Sequence, residues 1–391
     1  MDSTHGRRSF LGLLAGSLIA GWPRLATAAT PRIVVIGGGM VGANCAYRLA
    51  RRGAAVTLIE RTAPAAGATG NSFAWINAHY SKQPWDYFYL NRMGIEAWQA
   101  LDREMGGALP LRWGGSLEWF GEKARAAQFL EEVRRHQSYG FPAHLIDAAR
   151  LRELEPHVIP GEVVAAAHSE PDGAVDPAGA TTVLIERARA AGAVVRYPLD
   201  VTGFDERNGR IRAVRTSGGD VETDMVVLAC GTDITRIAAM VGVPVPLKPS
   251  AGVLVHTTPQ PRVLERLVMS PLVHMKQNPA GRIVAGGGFG APQSSREQNL
   301  DAAQAFLKTA AQALPELGTS QIDRVTIGYR PLPTDDHPVI GCPPGRPDLY
   351  VAVMHSGITM GPLVGHLAAS ELLDGVRPVP LAAYRPDRFT R

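Results

Sequence analysis

An apolar run from Arg32 to Ile36 breaks into the glycine-rich sequence Gly37-Gly38-Gly39-Met40-Val41-Gly42. A helical pattern then covers residues 43–53, and a second apolar run covers residues 54–60. This succession predicts a strand, a loop, a helix and a second strand parallel to the first. The opening of the ordered chain therefore indicates a strand–helix–strand unit.

The G-x-G-x-x-G sequence has the spacing of a dinucleotide-binding loop. In that loop Gly37 makes the tight turn, Gly39 lets the backbone approach a pyrophosphate, and Gly42 lets the helix pack closely. Glu60, at the end of the second strand, is placed to accept hydrogen bonds from ribose hydroxyls and to repel a 2′-phosphate. FAD or NAD is therefore predicted and NADP is not. The alternative, a glycine-rich turn without a ligand, does not explain the flanking strand, helix and acid.

The rest of the chain alternates helical and strand patterns. Residues 65–72 are small and glycine-rich, which predicts a loop that leaves bare backbone facing a ligand. Helices are predicted at 85–105, 122–136, 148–154, 178–191, 234–241, 301–314 and 363–373. Strands are predicted at 114–120, 194–197, 201–206, 210–216 and 220–229, with antiparallel strands between 252 and 290. Asp176 and Pro177 are expected to cap and to open the helix predicted at 178–191.

The first 29 residues are expected to lie outside the fold. Arg7 and Arg8 precede an uncharged stretch, and Ala26-Thr27-Ala28 has the form of a cleavage site. The paired arginines with Phe10 and Leu11 resemble a twin-arginine signal, which a receptor of the export machinery recognises. A periplasmic or secreted protein is predicted. An ordinary secretory signal and an uncleaved anchor remain as alternatives.

Composition excludes several classes of protein. The 391-residue chain has a net charge of +4, which becomes +2 without residues 1–28, so no nucleic-acid partner is predicted. The three cysteines, Cys45, Cys230 and Cys342, lie far apart and lack metal-ligand spacing. We therefore predict no metal site, and buried thiols at Cys45 and Cys230.

Three further segments, together with the glycine fingerprint, resemble the D-amino acid oxidase superfamily, which holds glycine oxidase, sarcosine oxidase and D-amino acid dehydrogenases. They are the loop at residues 67–72, the strand end Ala229-Cys230-Gly231, and the C-terminal block. That block reads Gly-Tyr-Arg-Pro from 328 to 331 and His-Ser-Gly-Ile-Thr-Met-Gly-Pro from 355 to 362. The resemblance extends from Pro31 to about residue 375.

The resemblance implies an α/β fold in which a Rossmann-type FAD-binding domain carries an inserted α+β substrate domain with an antiparallel sheet. The expected FAD-binding parts are residues 30–82, 166–245 and 323–391, and the expected substrate-domain parts are residues 83–165 and 246–322. The implied cofactor is FAD. Its expected contacts are Gly37, Gly39, Met40, Val41, Gly42, Glu60, Arg61, Ala68, Thr69, Gly70, Asn71, Ser72, Val201, Gly231, Gly357, Ile358, Thr359 and Met360.

The helix predicted after Gly361-Pro362 would aim its positive end at whatever precedes it, and its N–H groups would stabilise the negative charge of a reduced flavin. Arg330 is expected to pair with a substrate carboxylate, as the family arginine in this setting does; a structural ion pair is the alternative. Tyr329 and His355 are expected to line the pocket, although each residue type is often structural. Trp75, His79 and Tyr80 are candidates to cover the flavin ring.

Two departures from sarcosine oxidase relatives matter. Those enzymes hold flavin on a cysteine that this chain lacks at the matching segment, so non-covalent FAD is predicted. Their lysine above the flavin has no clear match, because Lys276 precedes the expected strand, and the electron acceptor is left as oxygen or a respiratory carrier. The predicted reaction oxidises the C–N bond of an amino acid or N-substituted amino acid by hydride transfer to flavin N5. The alternatives are a 2-hydroxy acid dehydrogenase, with His355 or His79 as its base, and a non-catalytic flavin-binding envelope protein.

Overall fold

The structure is a computed structural model that describes residues 30–80, 82–287 and 296–389. The predicted export signal lies outside the described residues. Strands follow the chain as β1 (Arg32–Ile36), β2 (Ala55–Ile59), β3 (Trp75–Ile76), β4 (Leu111–Trp113), β5 (Ser116–Phe120), β6 (Ala143–Ile146), β7 (Ala165–Ser169), β8 (Gly173–Val175), β9 (Val194–Arg196), β10 (Val201–Arg207), β11 (Arg210–Thr216), β12 (Val221–Glu222), β13 (Met225–Leu228), β14 (Leu247–Lys248), β15 (Ala251–Thr257), β16 (Leu267–Met269), β17 (His274–Gln277), β18 (Ile283–Gly286), β19 (Ile322–Tyr329), β20 (Leu332–Pro333), β21 (Val339–Gly341) and β22 (Leu349–Val353).

The helices are α1 (Met40–Arg51), α2 (Trp85–Met105), α3 (Lys123–Ser138), α4 (Ala148–Leu154), α5 (Pro177–Ala190), α6 (Ile234–Ala239), α7 (Arg296–Ala313) and α8 (Gly357–Asp374). As predicted, Pro177 opens α5, and the Asp176 side chain accepts hydrogen bonds from the N–H groups of Ala178 and Gly179. Among the described residues, no helix combines the length and the apolar character needed to cross a bilayer.

The two apolar runs near the start of the chain form the centre of a six-stranded sheet, in the order β21-β22-β13-β1-β2-β9. β1 pairs in parallel with β2 and with β13, and only the edge strand β21 is antiparallel. The carboxyl ends of the parallel strands therefore meet at one edge, where ligands of open α/β sheets bind. A Cβ atom on Gly37 would lie 2.3 Å from Ala229 O at that edge, so only glycine fits between β1 and β13.

An eight-stranded sheet, in the order β19-β15-β18-β17-β16-β5-β7-β6, forms the second layer. Its neighbours are antiparallel apart from β16 and β5, which run parallel. A separate hydrophobic cluster that includes Trp119, Val255 and Met275 packs on this sheet together with residues of α7. The parallel sheet and this largely antiparallel sheet confirm the predicted α/β fold with an added antiparallel part.

Helices α1, α2 and α8 pack closely beside the parallel sheet. A Cβ atom on Gly361 would lie 2.9 Å from Met40 Cγ, and one on Gly365 would lie 2.7 Å from the Asn44 carbonyl carbon. A Cβ atom on Gly94 of α2 would lie 2.7 Å from Thr359 O. These glycines bring the beginnings of α1 and α8 together, and both helices begin at the edge where the parallel strands end.

Three predicted elements differ from the structure. Helix α8 begins at Gly357 instead of after Pro362, which therefore lies inside the helix. The strand predicted at 114–120 is broken by Gly114 and Gly115, which have φ values of +157° and +88°. The strand predicted at 220–229 is divided at residues 223 and 224, because the Asp224 carboxylate pairs with Arg32.

Candidate active site

A cavity of about 530 Å³ follows the carboxyl edge of the parallel sheet and continues to the start of α8 and the end of β19. It brings together most of the residues that the sequence singled out. Those that line it are Gly37, Gly39, Met40, Val41, Glu60, Arg61, Ala68, Thr69, Asn71, Ser72, Val201, Gly231, Tyr329, Arg330, His355, Gly357, Ile358 and Thr359. We call this cavity the main cleft.

Three predicted cofactor contacts do not line the main cleft. Gly42 lies beneath the fingerprint turn, where a Cβ atom would be 1.9 Å from Gly37 O, so its role is to let the helix pack. Gly70 closes a turn by donating its N–H to Ala65 O at 2.9 Å. Met360 is fully buried and its N–H donates to Ser356 O. These three residues therefore lie behind the residues that form the wall of the main cleft.

The nucleotide end of the main cleft is organised around Glu60. Its Oε2 accepts a 2.8 Å hydrogen bond from the Gly38 N–H, and its Oε1 accepts one of 2.9 Å from the Thr62 N–H. The Thr62 hydroxyl also donates to Oε1, at 3.3 Å. A carboxylate has about four acceptor positions, so Glu60 can still accept a hydrogen bond from a ribose hydroxyl. Thr69 ties the glycine-rich loop to the fingerprint, because its Oγ1 accepts the Met40 N–H at 3.1 Å.

Two helix N-termini meet the main cleft, and neither is capped by the side chain of its own N-cap residue. α1 follows Gly39, which has no side chain, and α8 follows Ser356, whose Oγ is hydrogen-bonded to the Tyr87 hydroxyl at 2.9 Å. The first N–H groups of a helix lack partners within the helix and attract negative charge. One end therefore suits a diphosphate and the other suits the electron-rich C2=O and N1 side of a flavin. This pair of helix N-termini, with Glu60, fits FAD.

Arg330 follows β19 and turns its guanidinium toward β15. Its Nη1 donates a 2.7 Å hydrogen bond to Ala251 O. A Cβ atom on Gly252 would lie 2.5 Å from Arg330 Nη2, so the absence of a side chain at 252 makes room for the guanidinium. No sequence motif singles out Gly252. Partial burial lowers the pKa of Arg330 from its ordinary value, and a guanidinium still remains charged.

The other two residues expected beside the substrate differ in exposure. Tyr329 is 57% exposed and lies at the rim of the main cleft. Burial, followed by the charges of Lys82 and Arg330, lowers the pKa of His355 to about 3. His355 is therefore neutral at ordinary pH and is a weak proton acceptor.

Trp75, His79 and Tyr80 divide between two cavities. Trp75 lines the main cleft, Tyr80 lines both the main cleft and a smaller cavity of about 170 Å³, and His79 lines the smaller cavity. The His79 Nε2 atom lies 3.0 Å from Asp172 Oδ2, which also accepts hydrogen bonds from Trp75 Nε1 at 2.8 Å and Ser116 Oγ at 2.7 Å. His79 therefore helps to position Trp75 and does not reach the main cleft, contrary to the sequence-based expectation for it.

Two buried lysines occupy different places. Lys276 lies within β17, and its Nζ donates to Val175 O at 2.9 Å, outside the lining of the main cleft. Lys82 is 6% exposed and lines both the main cleft and the smaller cavity, with Nζ 5.4 Å from the centroid of the Tyr87 ring. Sequence reasoning missed Lys82, because an isolated lysine between Tyr80 and α2 has no pattern that predicts burial.

The three cysteines are free thiols: Cys45 is fully buried, as predicted, whereas Cys230, which was also expected to be buried, and Cys342 are part-exposed. Burial raises the pKa of Cys45, Cys230 and Cys342 to about 12 in each case. Only Cys230 among them lines the described part of the main cleft, and it does so at the end of the parallel strand β13. A neutral thiol is a poor nucleophile.

The parallel sheet with its glycine fingerprint, the antiparallel layer and the cleft between two helix N-termini define a flavoprotein-type oxidoreductase. The chain belongs to the DAO family, described as FAD dependent oxidoreductase, whose profile matches residues 32–371. The predicted superfamily resemblance and the assignment of FAD to this type of protein are thereby confirmed.

Individual relatives agree with this family. The chain is 25% identical over 384 residues to mitochondrial dimethylglycine dehydrogenase of Homo sapiens. The matched region covers 91% of this chain and 44% of that protein. The chain is 24% identical over 364 residues to glycine oxidase of Bacillus licheniformis, covering 91% and 96% of the two chains. Among solved structures, L-proline dehydrogenase from P. horikoshii superposes with a TM-score of 0.82 at 28% identity, covering 93% and 98%. The chain spans less than half the length of dimethylglycine dehydrogenase.

Proposed function

We propose that this chain oxidises the C–N bond of an amino acid or N-substituted amino acid with non-covalently bound FAD. The observation that carries the proposal is the position of Arg330, whose guanidinium lines the same cleft as the uncapped start of α8. Glycine oxidase, dimethylglycine dehydrogenase and L-proline dehydrogenase act, by their names, on compounds in which a carboxylate lies next to the amine-bearing carbon. A guanidinium fork recognises such a carboxylate.

The residues of the main cleft have two roles: they bind the substrate and orient it toward the cofactor. Arg330 fixes the substrate carboxylate and so presents the α C–H bond to the cofactor. FAD, when bound, supplies the hydride acceptor at its N5 atom. The first N–H groups of α8, at Gly357, Ile358 and Thr359, stabilise the negative charge that hydride transfer brings to the cleft. Trp75 and Tyr80 complete the wall.

The amine itself supports the loss of hydride. Its nitrogen lone pair forms the C=N bond as the α-hydrogen leaves with the C–H electron pair, and water then hydrolyses the imine to a keto acid and an amine. This route needs a neutral substrate amine and no protein base. A 2-hydroxy acid would need a base for its hydroxyl proton. The neutral, weakly basic His355 and the Asp172-bound His79 argue against that alternative. The open cleft beside Arg330 argues against a non-catalytic flavin carrier.

We also propose export through the twin-arginine route, supported by Arg7, Arg8 and the Ala26-Thr27-Ala28 site. Such a route carries folded proteins and so suits one that holds a cofactor. Replacing both arginines with lysine should leave FAD-loaded precursor in the cytoplasm, as measured by cell fractionation and flavin fluorescence. Normal export of that variant would contradict the twin-arginine proposal and leave an ordinary secretory signal.

The function is tested by mixing the purified holoprotein with substrates under anaerobic conditions and following the flavin absorbance. The panel should hold amino acids, N-methyl amino acids, the decarboxylated amines and the matching 2-hydroxy acids. Bleaching by a carboxylate-bearing amine, with little bleaching by its decarboxylated form, is the expected result. Bleaching by the 2-hydroxy acids alone would assign the alternative reaction. Reoxidation by oxygen or by a quinone then identifies the electron acceptor.

A further inference from the structure

Lys82 places a buried positive charge at the substrate end of the main cleft. The residue is only 6% exposed, and its Nζ faces the ring of Tyr87. Within the described ranges of the chain, no hydrogen bond or ion pair engages this Nζ. Burial lowers the pKa of Lys82 to about 8, so the amine is still largely protonated at pH 7. A buried ammonium loses its hydration, and a nearby anion offsets that loss.

Lys82 and Arg330 act on the same neighbour. The charges of both residues lower the pKa of His355, so both lie near that imidazole although they come from distant parts of the chain. The Tyr87 ring beside Lys82 carries the hydroxyl that is hydrogen-bonded to Ser356, which follows His355. Two cations therefore face one region of the cleft.

The carboxylates that line the described part of the main cleft all lie at the other end. They are Glu60, Asp200 and Asp233. Glu60 accepts hydrogen bonds from the N–H groups of Gly38 and Thr62. Asp200 and Asp233 form ion pairs with Arg236. The described lining of the main cleft thus places no carboxylate beside Lys82. The smaller cavity, which Lys82 also lines, holds Glu118 and Glu132, and neither forms an ion pair with Lys82 among the described residues. A substrate carboxylate bound at Arg330 leaves the Lys82 ammonium without an anionic partner among the described residues of this cleft.

On the basis of the proposed function, we propose that Lys82 binds a second anionic group of the substrate, so that the enzyme's substrate class is an amino acid with a second carboxylate. The α-carboxylate pairs with Arg330, and the distal carboxylate pairs with Lys82 Nζ. A substrate with one carboxylate leaves the Lys82 ammonium buried and unpaired, which makes its binding weaker. The site therefore discriminates between substrates by charge as well as by shape.

Binding of unreactive acids tests this assignment without turnover. The FAD-loaded protein is titrated at pH 7 with glutarate and with butyrate, which have similar length and differ in one carboxylate, and the shift of the flavin absorbance gives each Kd. The parent should bind glutarate about 30-fold or more tightly than butyrate, as expected for a charge pair in a closed site. Lys82→Met should remove most of this preference, and Lys82→Arg should keep part of it.

The matched control is Lys123→Met at the exposed start of α3, which should retain the full preference. A parent with no preference for glutarate, or a Lys82→Met variant that loses glutarate and butyrate binding equally, would overturn the assignment. A changed sulfite affinity of the free holoprotein in Lys82→Met would also overturn it, because Lys82 would then act on the flavin. Failure of every amine to bleach the flavin, with the glutarate preference intact, would instead overturn the proposed function.

Discussion

Trp98 Nε1 donates a 2.8 Å hydrogen bond to Ile358 O, the carbonyl that Pro362 leaves without a donor in its own helix. In an α-helix the N–H of residue 362 would donate to residue 358, and proline has no N–H. Trp98 lies on α2 and is completely buried. A side chain of α2 thus completes the hydrogen bonding of α8, and it does so within the first turn of α8, at the flavin end of the main cleft.

We expect Trp98→Phe to lower the free energy of unfolding by about 1–3 kcal/mol, because a buried carbonyl loses its donor. In a Pro362→Ala background the same substitution should cost less, since the new N–H of residue 362 can donate to Ile358 O. Urea unfolding of the four proteins measures this coupling. The control is Trp119→Phe, which removes an indole donor from Pro160 O and should cost the same in both backgrounds.

Glu60 is predicted to hold the adenosine ribose of non-covalent FAD. Glu60→Gln keeps the shape of the side chain and removes its charge, so FAD should dissociate more readily, with a Kd raised by about 10-fold for one weakened charge-assisted contact. Titration of the apoprotein with FAD measures this, and acid precipitation should release the flavin into the supernatant. Glu186→Gln, on the exposed face of α5, should leave the Kd unchanged. Flavin that stays with the denatured chain would contradict non-covalent binding.

Arg330→Ala is expected to lower kcat/KM by about 2–5 kcal/mol, mainly through KM, because the substrate carboxylate loses its partner. Arg330→Lys should recover only part of the loss, since an ammonium cannot form the bidentate fork. Full activity of both variants on the acid would make Arg330 structural. The decarboxylated amine should be a poor substrate of the parent and should lose little more in either variant.

Gly252→Ala tests the same interaction without touching the guanidinium. The added methyl group would lie 2.5 Å from Arg330 Nη2, so Arg330 must move from its position. KM should rise while the spectrum of bound flavin stays that of the parent. Gly203→Ala is a suitable control, because a Cβ atom there would meet nothing closer than 3.8 Å. An unchanged KM in Gly252→Ala would show that the substrate does not depend on this guanidinium.

Glu118, which is buried beside the smaller cavity, is expected to make stability depend on pH. Burial raises the pKa of Glu118 to about 7, with His79, Arg125, Glu132 and Asp172 as its charged neighbours. Between pH 4.5 and 7 the unfolded chain ionises at this residue while the folded chain keeps the proton, so raising the pH favours unfolding. Each unit of pKa shift contributes about 1.4 kcal/mol.

Thermal unfolding between pH 4.5 and 8 measures the effect. Glu118→Gln should lack the part of the pH dependence that the parent shows in this range, while the exposed Glu186→Gln should keep it. An identical pH dependence in Glu118→Gln and the parent would mean that Glu118 is ionised in the folded state throughout the range.

Local sequence signals predicted the regular parts of the fold. The helix at 85–105 matches α2 at both ends, because its apolar period is sustained and Gly106 ends it in a left-handed conformation. The start of α8 was predicted too late, because Pro362 suggested a first turn. That inference failed because of a tertiary contact: Trp98, which is 260 residues from Ile358 in the chain, supplies the donor that the proline lacks.

The residues of the candidate site likewise fall into two groups: those that a local motif predicts and those whose positions depend on tertiary packing. The glycine fingerprint, Glu60 and Arg330 belong to contiguous motifs, and the structure brings them to one cleft. The partner of His79 is Asp172, which is 93 residues away in the chain. The burial of Lys82 likewise depends on its contact with a helix that no local pattern connects to it. The positions and partners of such residues depend on packing between segments that are distant in the chain, and a single sequence does not show this packing.

The raised pKa values of the three cysteine thiols have a consequence for handling and labelling. Thiols whose pKa is about 12 are almost entirely protonated at neutral pH, and the thiolate is the form that reacts with peroxide, disulfides and maleimides. The folded protein should therefore tolerate oxidants at these positions and need no reductant. A cysteine placed at an exposed residue such as Glu186 would then accept a maleimide probe against an almost unreactive background.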